Sequence, residues 1–243
     1  MFKRALSTVA VLGLAAAPLA IATPAAASHT NVTRASVNNF VYGTQSSRTF
    51  TVTATVETES PAQTDVSFSL EPANPDCLMF EYGELQWAEG NTFTGSLLLT
   101  QSDVYDNACA GDWKLETSAF DLSSSGGYDI DERIVRFKRQ SRVINDNASP
   151  EPVAKGGTVR VVADLQRASW NTFAYGGISG RSAELQFKPT GGSYATIKSV
   201  TSSSTGRLST SVQQFRSGCY RWLFRGFSTT APSTSAGDCV AIA

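Results

Sequence analysis

The sequence predicts an all-β protein built from two antiparallel β-sandwiches in tandem. Three observations carry that expectation. Apolar and polar residues alternate with period two along much of the chain, β-branched and aromatic residues are enriched in those runs, and Gly, Ser, Asn and Pro separate them. No helical pattern of about ten residues interrupts this beyond the N-terminal segment.

Lys3 and Arg4 precede an apolar run, and Ala25 and Ala27 place small side chains at the positions a signal peptidase inspects. Residues 1–27 are therefore expected to be a signal peptide cut after Ala27. Pro18 and Pro24 interrupt the run and no basic stop-transfer cluster follows, which argues against a membrane anchor. The mature chain is expected to be secreted, extracellular or associated with the cell envelope, with no membrane span.

In the first half, strands are expected at residues 48–57 (RTFTVTATVE), 65–71 (DVSFSLE) and 113–120 (WKLETSAF). In the second half they are expected at 158–165, 181–188, 194–200, 206–212, 219–225 and 238–243. Between them, KRQSRVINDNASPEPVAKGGT (138–158) combines basic residues, Asn, two prolines and a Gly pair, and reads as a connector stiffened by Pro150 and Pro152. The expected layout is an N-terminal sandwich at 28–140, a linker at 141–157 and a C-terminal sandwich at 158–243. Each would hold some seven short strands.

The four cysteines of an exported chain point to disulfides, and none has zinc spacing. Of the three connectivities, the long gap between pairs favours Cys77 with Cys109 and Cys219 with Cys239. Each bridge would be worth about 3–4 kcal/mol in the chain-entropy model. Cys219 shares the parity of Arg221, which places its bridge near the rim or outer face.

A short pattern occurs twice, as CAGDWKLETSAF (109–120) and SGCYRWLFRGF (217–227). It would mark one late strand in each of two related sandwiches, with Trp113 and Tyr220 inward and Lys114 and Arg221 outward. The run from residue 148 onward resembles a recurrent immunoglobulin-like module of secreted actinobacterial proteins. The matching residues are Pro150 to Lys155, Trp170, Tyr175, Gly177, Leu185 to Phe187, Gly206, Trp222, Gly226 and Asp238. The resemblance implies immunoglobulin-like β-sandwiches. Its members share no agreed activity, some being labelled calcium-binding, and it supplies no catalytic residue. The cysteines at 219 and 239 depart from the module, which carries aromatic residues there.

Elimination argues against most kinds of catalysis. The single histidine, His29, sits at the new N-terminus, a poor place for a Ser-His-Asp or Cys-His site. The carboxylate pairs Glu81 with Glu84 and Asp129 with Asp131 would have to face one another across a cleft to act as a glycosidase. Asp103, Asp106, Asn107 and Asp112 share one loop with oxygen ligands suited to calcium, the one cofactor suggested. Their spacing is not that of an EF-hand, and an Asx-rich turn that caps its own backbone is the competing and favoured reading. Trp87, Trp170 and Tyr175 beside glycines are candidate platforms for sugar rings, or else core residues.

Charge divides the chain. Residues 28–140 carry 7 basic and 16 acidic side chains, net −9, and residues 141–243 carry 11 and 5, net +6. Such asymmetry serves attraction to a charged partner or between the halves. The partner could be an anionic cell-wall polymer met by Arg160, Arg167, Arg181, Arg207, Arg216, Arg221 and Arg225, or another extracellular protein. Nothing points to a specific nucleic acid. The sequence thus describes a secreted, non-enzymatic binding or structural protein, with a glycan-binding accessory module and a calcium-dependent extracellular module as alternatives.

Overall fold

A computed structural model describes residues 30–123 and 127–243. The expected signal peptide and His29 lie outside the described residues. The first half forms β1 (Asn31–Val37), β2 (Val41–Tyr42), β3 (Ser47–Glu57), β4 (Thr64–Pro72), β5 (Glu81–Glu89), β6 (Thr92–Thr100), β7 (Gly111–Asp121) and β8 (Tyr128–Arg139). They pair in the order β1-β3-β6-β5-β4-β7-β8-β2. Period-two alternation sets the inner face: Phe50, Val52, Ala54 and Val56 on β3, Val66, Phe68 and Leu70 on β4, Trp113 and Leu115 on β7 are all buried.

Strand β5 switches layers. Its first half, Glu81 to Leu85, pairs with β4, and its second half, from Gln86, pairs with β6. The result is one layer of β1, β3, β6 and the end of β5, packed on another of the start of β5, β4, β7 and β8. Side chains seal the seam between β1 and β8. The Val32 N–H donates to Asp129 Oδ2 at 2.8 Å, and Arg133 donates to the Thr33 carbonyl at 2.7 Å.

The second half forms β9 (Ser141–Ser149), β10 (Thr158–Ser169), β11 (Ala174–Gly177), β12 (Ser182–Pro189), β13 (Ala195–Thr201), β14 (Arg207–Gln213), β15 (Gly218–Phe224), β16 (Ser233–Thr234) and β17 (Asp238–Val240). One layer is β9, β10 and β14 with β11 on the end of β10; the other is β13, β12 and β15 with β16 and β17. Leu165, Leu185, Leu208, Tyr220 and Trp222 fill the space between. In both halves the first, second and fifth long strands make one layer, and the third and sixth, joined by β8 in the first half and the short β17 in the second, make the other. This is the immunoglobulin-like arrangement.

The repeated sequence pattern lies on the sixth strand of each sandwich. Trp113 and Leu115 on β7 alternate inward as Tyr220 and Trp222 do on β15, with Lys114 and Arg221 turned outward. Disulfides join Cys77 to Cys109 and Cys219 to Cys239, the local pairing the spacing predicts. The first is buried and ties the β4–β5 loop to the turn before β7. The second joins residues directly opposite each other on β15 and β17, on the outer face.

The expected linker at 141–157 is corrected by the structure. Residues 141–149 are β9, hydrogen-bonded along β10, so Gln140 alone separates the last strand of one sandwich from the first of the next. Pro150 and Pro152 belong to the β9–β10 loop. The strand was hidden because Asn145, at φ 52°, and a register shift interrupt it. Ser141 and Val143 point inward before this bulge and Ala148 after it, so the parity flips and no continuous alternation survives.

The joint at Gln140 is densely bonded. Its N–H donates to the Tyr42 carbonyl at 2.9 Å, its carbonyl accepts from the Ala168 N–H at 2.8 Å, and its Oε1 accepts from the Tyr175 hydroxyl at 2.7 Å. The neighbouring Arg139 donates through Nε to the Ala168 carbonyl at 2.7 Å, and burial first, then Arg167, pulls its guanidinium down to about 10. Trp170, at the end of β10, leaves its own sandwich and enters the core of the first. Its ring lies 4.6 Å from that of Phe137, and its Nε1–H donates to the Tyr42 carbonyl at 3.1 Å.

Candidate functional site

The outer face of β5, β4, β7 and β8 exposes the aromatic residues Tyr82, Phe120 and Tyr128 together. Alternation that buries Val66, Phe68 and Leu70 turns Asp65, Ser67, Ser69 and Glu71 outward, and the same parity exposes Tyr82 and Glu84 on β5. On β7 and β8 it turns out Glu116, Ser118, Phe120, Tyr128, Ile130, Glu132 and Ile134. Register places these in rows across the sheet. Tyr82 lies beside Ser69, Glu116 and Glu132, while Asp65, Phe120 and Tyr128 form another row.

Tyr82 is 79% exposed and Ile134 63%, unusual for large side chains on a regular strand. The Phe120 and Tyr128 rings are 6.5 Å apart, which makes a two-ring apolar patch at one end. Small residues lower the centre, where the Ser67 and Ser118 hydroxyls are 2.8 Å apart and a depression of about 320 Å³ lies between Tyr82 and Glu116. Towards the start of β4 a larger groove of about 570 Å³ is lined by Asp65, Glu84, Gln86, Trp87 and Phe120.

Six carboxylates stand on this face, Asp65, Glu71, Glu84, Asp112, Glu116 and Glu132, with two cations: Lys114 lies among Glu71, Glu116 and Glu132, and Arg136 pairs with Asp112. Glu132 foremost, with Glu116 and Glu71, raises the Lys114 pKa and so holds it charged. The face is therefore acidic as well as aromatic. Exposed apolar side chains interspersed with like charges are a surface that gains by meeting an oppositely charged partner.

The other expected sites fall differently. Asp103 accepts from the Thr100 N–H at 2.8 Å and hydroxyl at 2.7 Å, Asp106 caps the Ala108 N–H, and Asp112 pairs with Arg136 at 2.9 Å. Asn107 accepts from the Trp170 N–H at 2.8 Å and donates to Asn171 and Ser169, fastening the loop to the second sandwich. These four side chains thus turn to separate backbone and side-chain partners, and among the described residues no group of three or more His, Cys, Asp or Glu is placed to hold a metal. Trp170, expected as a platform, is 0% exposed, because it is a core residue of the neighbouring sandwich. Tyr175 is half-buried against Gln140 with the Arg142 guanidinium 3.9 Å from its ring. Trp87 alone of the three stands open, 49% exposed, its Nε1–H held by the Gly90 carbonyl.

The carboxylate pairs do not face a shared cleft. Glu81 and Glu84 lie on opposite faces of β5, and Asp129 and Asp131 both turn to the β1 seam, where Asp131 pairs with Arg133. Sequence reasoning passed over the sheet face itself. Its signal was the apolar residues at outward positions of β8, Tyr128, Ile130 and Ile134, where an exposed strand ordinarily carries polar ones.

A scan against protein-family models gives no match, and a search of curated proteins gives none. Among solved structures the chain is similar to a marsupial T cell receptor, with 11% identity over 88% of this chain and 72% of that chain at a TM-score of 0.35. It is also similar to the D0-D1 domain of intimin, with 12% identity over 86% of this chain and 98% of that chain at a TM-score of 0.30. The fold assignment rests on the strand order above. No helix among the described residues is long and apolar enough to cross a membrane. Two immunoglobulin-like sandwiches with two disulfides are compatible with an extracellular binding or structural module.

Proposed function

We propose that this chain is an exported, non-enzymatic binding protein of the cell envelope or extracellular space, and that its first sandwich docks a cationic protein surface on the outer face of β5, β4, β7 and β8. The observation that supports this reading is the concentration there of Tyr82, Phe120, Tyr128, Ile130 and Ile134 among six carboxylates that outnumber the two cations Lys114 and Arg136. Apolar contact would supply affinity, and the acidic field would supply steering and orientation. The resemblance of residues 148 onward to secreted modules supports export, and the net −9 of the first half supports a cationic partner.

The test compares immobilised full chain with its Tyr82→Ser/Phe120→Ser/Ile134→Ser variant, all three positions being exposed. Each is presented with culture medium and envelope extract. A basic protein retained by the first, lost from the second and released above about 0.5 M salt, where screening shortens to below about 5 Å, is the expected result. Equal retention by both overturns the proposal. A second reading has its own observation: Trp87 and Phe120 share the larger groove with Asp65, Glu84 and Gln86, a set suited to stacking on and hydrogen-bonding a sugar. Retardation by soluble envelope glycan that Trp87→Ala abolishes would favour it.

A further inference from the structure

The two sandwiches differ at one edge. In the first, β5 crosses from β4 to β6 and closes the side between the layers. In the second, the corresponding strand β13 pairs with β12 alone, and β14 pairs with β10 alone. The β13–β14 hairpin is thus a fork, one prong in each layer, joined by the turn at 202–206. Among the described residues, none pairs at the place that the end of β5 takes in the first sandwich.

The open fork is a groove of about 440 Å³. Its floor is Phe187 and Tyr220, with rings 4.9 Å apart. Val212 on β14 and Ile197 on β13 form its sides, and Phe215 stands 56% exposed at its mouth. Two cations, Lys198 and Arg216, line it, and no acidic residue does. A free strand edge beside an apolar trough is the geometry of strand addition, in which the main chain pairs with the edge and alternate side chains enter the trough.

We propose that this fork binds an extended, acidic segment of a partner protein, which adds to β14 as a strand, sets alternate apolar side chains on Phe187 and Tyr220, and turns its carboxylates to Lys198 and Arg216. The charge of the lining selects the occupant. A second copy pairing β14 with β14 would bring Arg216 and Lys198 against the same cations. The acidic half of a second copy offers no free long strand either, since β1 and β8 are sealed against each other.

The full chain is mixed with short blocked peptides in which Val, Leu or Phe alternates with Glu, or with Lys as the control, and amide exchange is followed by mass spectrometry. The Glu peptides should slow exchange in Arg207–Gln213, and the Lys peptides should not. Lys198→Glu/Arg216→Glu, both exposed and on the surface, should weaken binding about tenfold at low salt, as expected for two exposed charge pairs. Ile197→Ser/Phe215→Ser should weaken it with its salt dependence unchanged. Absence of binding by the Glu peptides, protection on another strand, or equal binding by the charge-reversed variant overturns the proposal. So does concentration-dependent protection of β14 without peptide, which would assign the edge to a second copy.

Discussion

Trp170→Ala should damage the sandwich that Trp170 does not belong to. The side chain is fully buried, lies 4.6 Å from Phe137 and meets Tyr42 edge-on at 6.3 Å. Truncating a buried Trp costs about 3–5 kcal/mol, including the cavity that remains. The lost hydrogen bond adds little, because the Tyr42 carbonyl keeps the Gln140 N–H as donor. A loss of about 4 kcal/mol in a domain of roughly a hundred residues lowers its melting temperature by about 15–30 °C. Hydrogen exchange resolved by peptide reads β7 and β15 separately. The native chain should open both sandwiches together, and the variant should open β7 well before β15. A loss below about 1 kcal/mol, or one confined to β10 and β15, would refute the assignment of Trp170 to the first core.

Gly206→Ala should destabilise the second sandwich by about 2 kcal/mol or more in urea titration, because Gly206 sits at φ +85° and an added Cβ would lie 2.4 Å from the Leu165 carbonyl oxygen. Graded reductant with thiol labelling should open Cys219–Cys239 before Cys77–Cys109, since the first is on the outer face and the second is buried; the reverse order would count against this arrangement. Burial pushes the Tyr220 hydroxyl up to about 12, and that hydroxyl donates to Gln214. The protonated form is thus favoured in the folded chain, so its contribution is complete below about pH 10 and is lost as pH rises through 12. Alkaline unfolding of the second sandwich should be shallower over that window in Tyr220→Phe.

Strands that bury one face and wet the other were legible in the sequence. β3, β4, β7, β10, β12, β13, β14 and β15 all fall within a few residues of their expected spans. Those that broke period two were not. β9 carries a bulge, β8 has Tyr128, Ile130 and Ile134 outside and Asp129, Asp131 and Arg133 inside, and β5 changes partners midway before a hairpin about Gly90. The disulfides were legible because spacing constrains them strongly. Trp170 was not, because which core a side chain enters depends on how two domains meet. A candidate face made of exposed apolar residues was equally hidden, since alternation shows which residues share a side and leaves open which side is wet.

A one-residue joint pinned from both sides changes the meaning of the uneven charge. With a flexible linker, −9 and +6 would sample many relative orientations and largely average out at a distance. Held by Gln140, Arg139 and Trp170, the two halves make the whole chain a permanent electric dipole fixed to the protein frame. On an anionic surface such a body would not merely adsorb; it would align, basic end inward, and all copies would turn the same acidic face to the medium. Substitutions that loosen the joint would then cost alignment before they cost affinity, a loss visible in the angular order of an adsorbed layer and not in the amount bound.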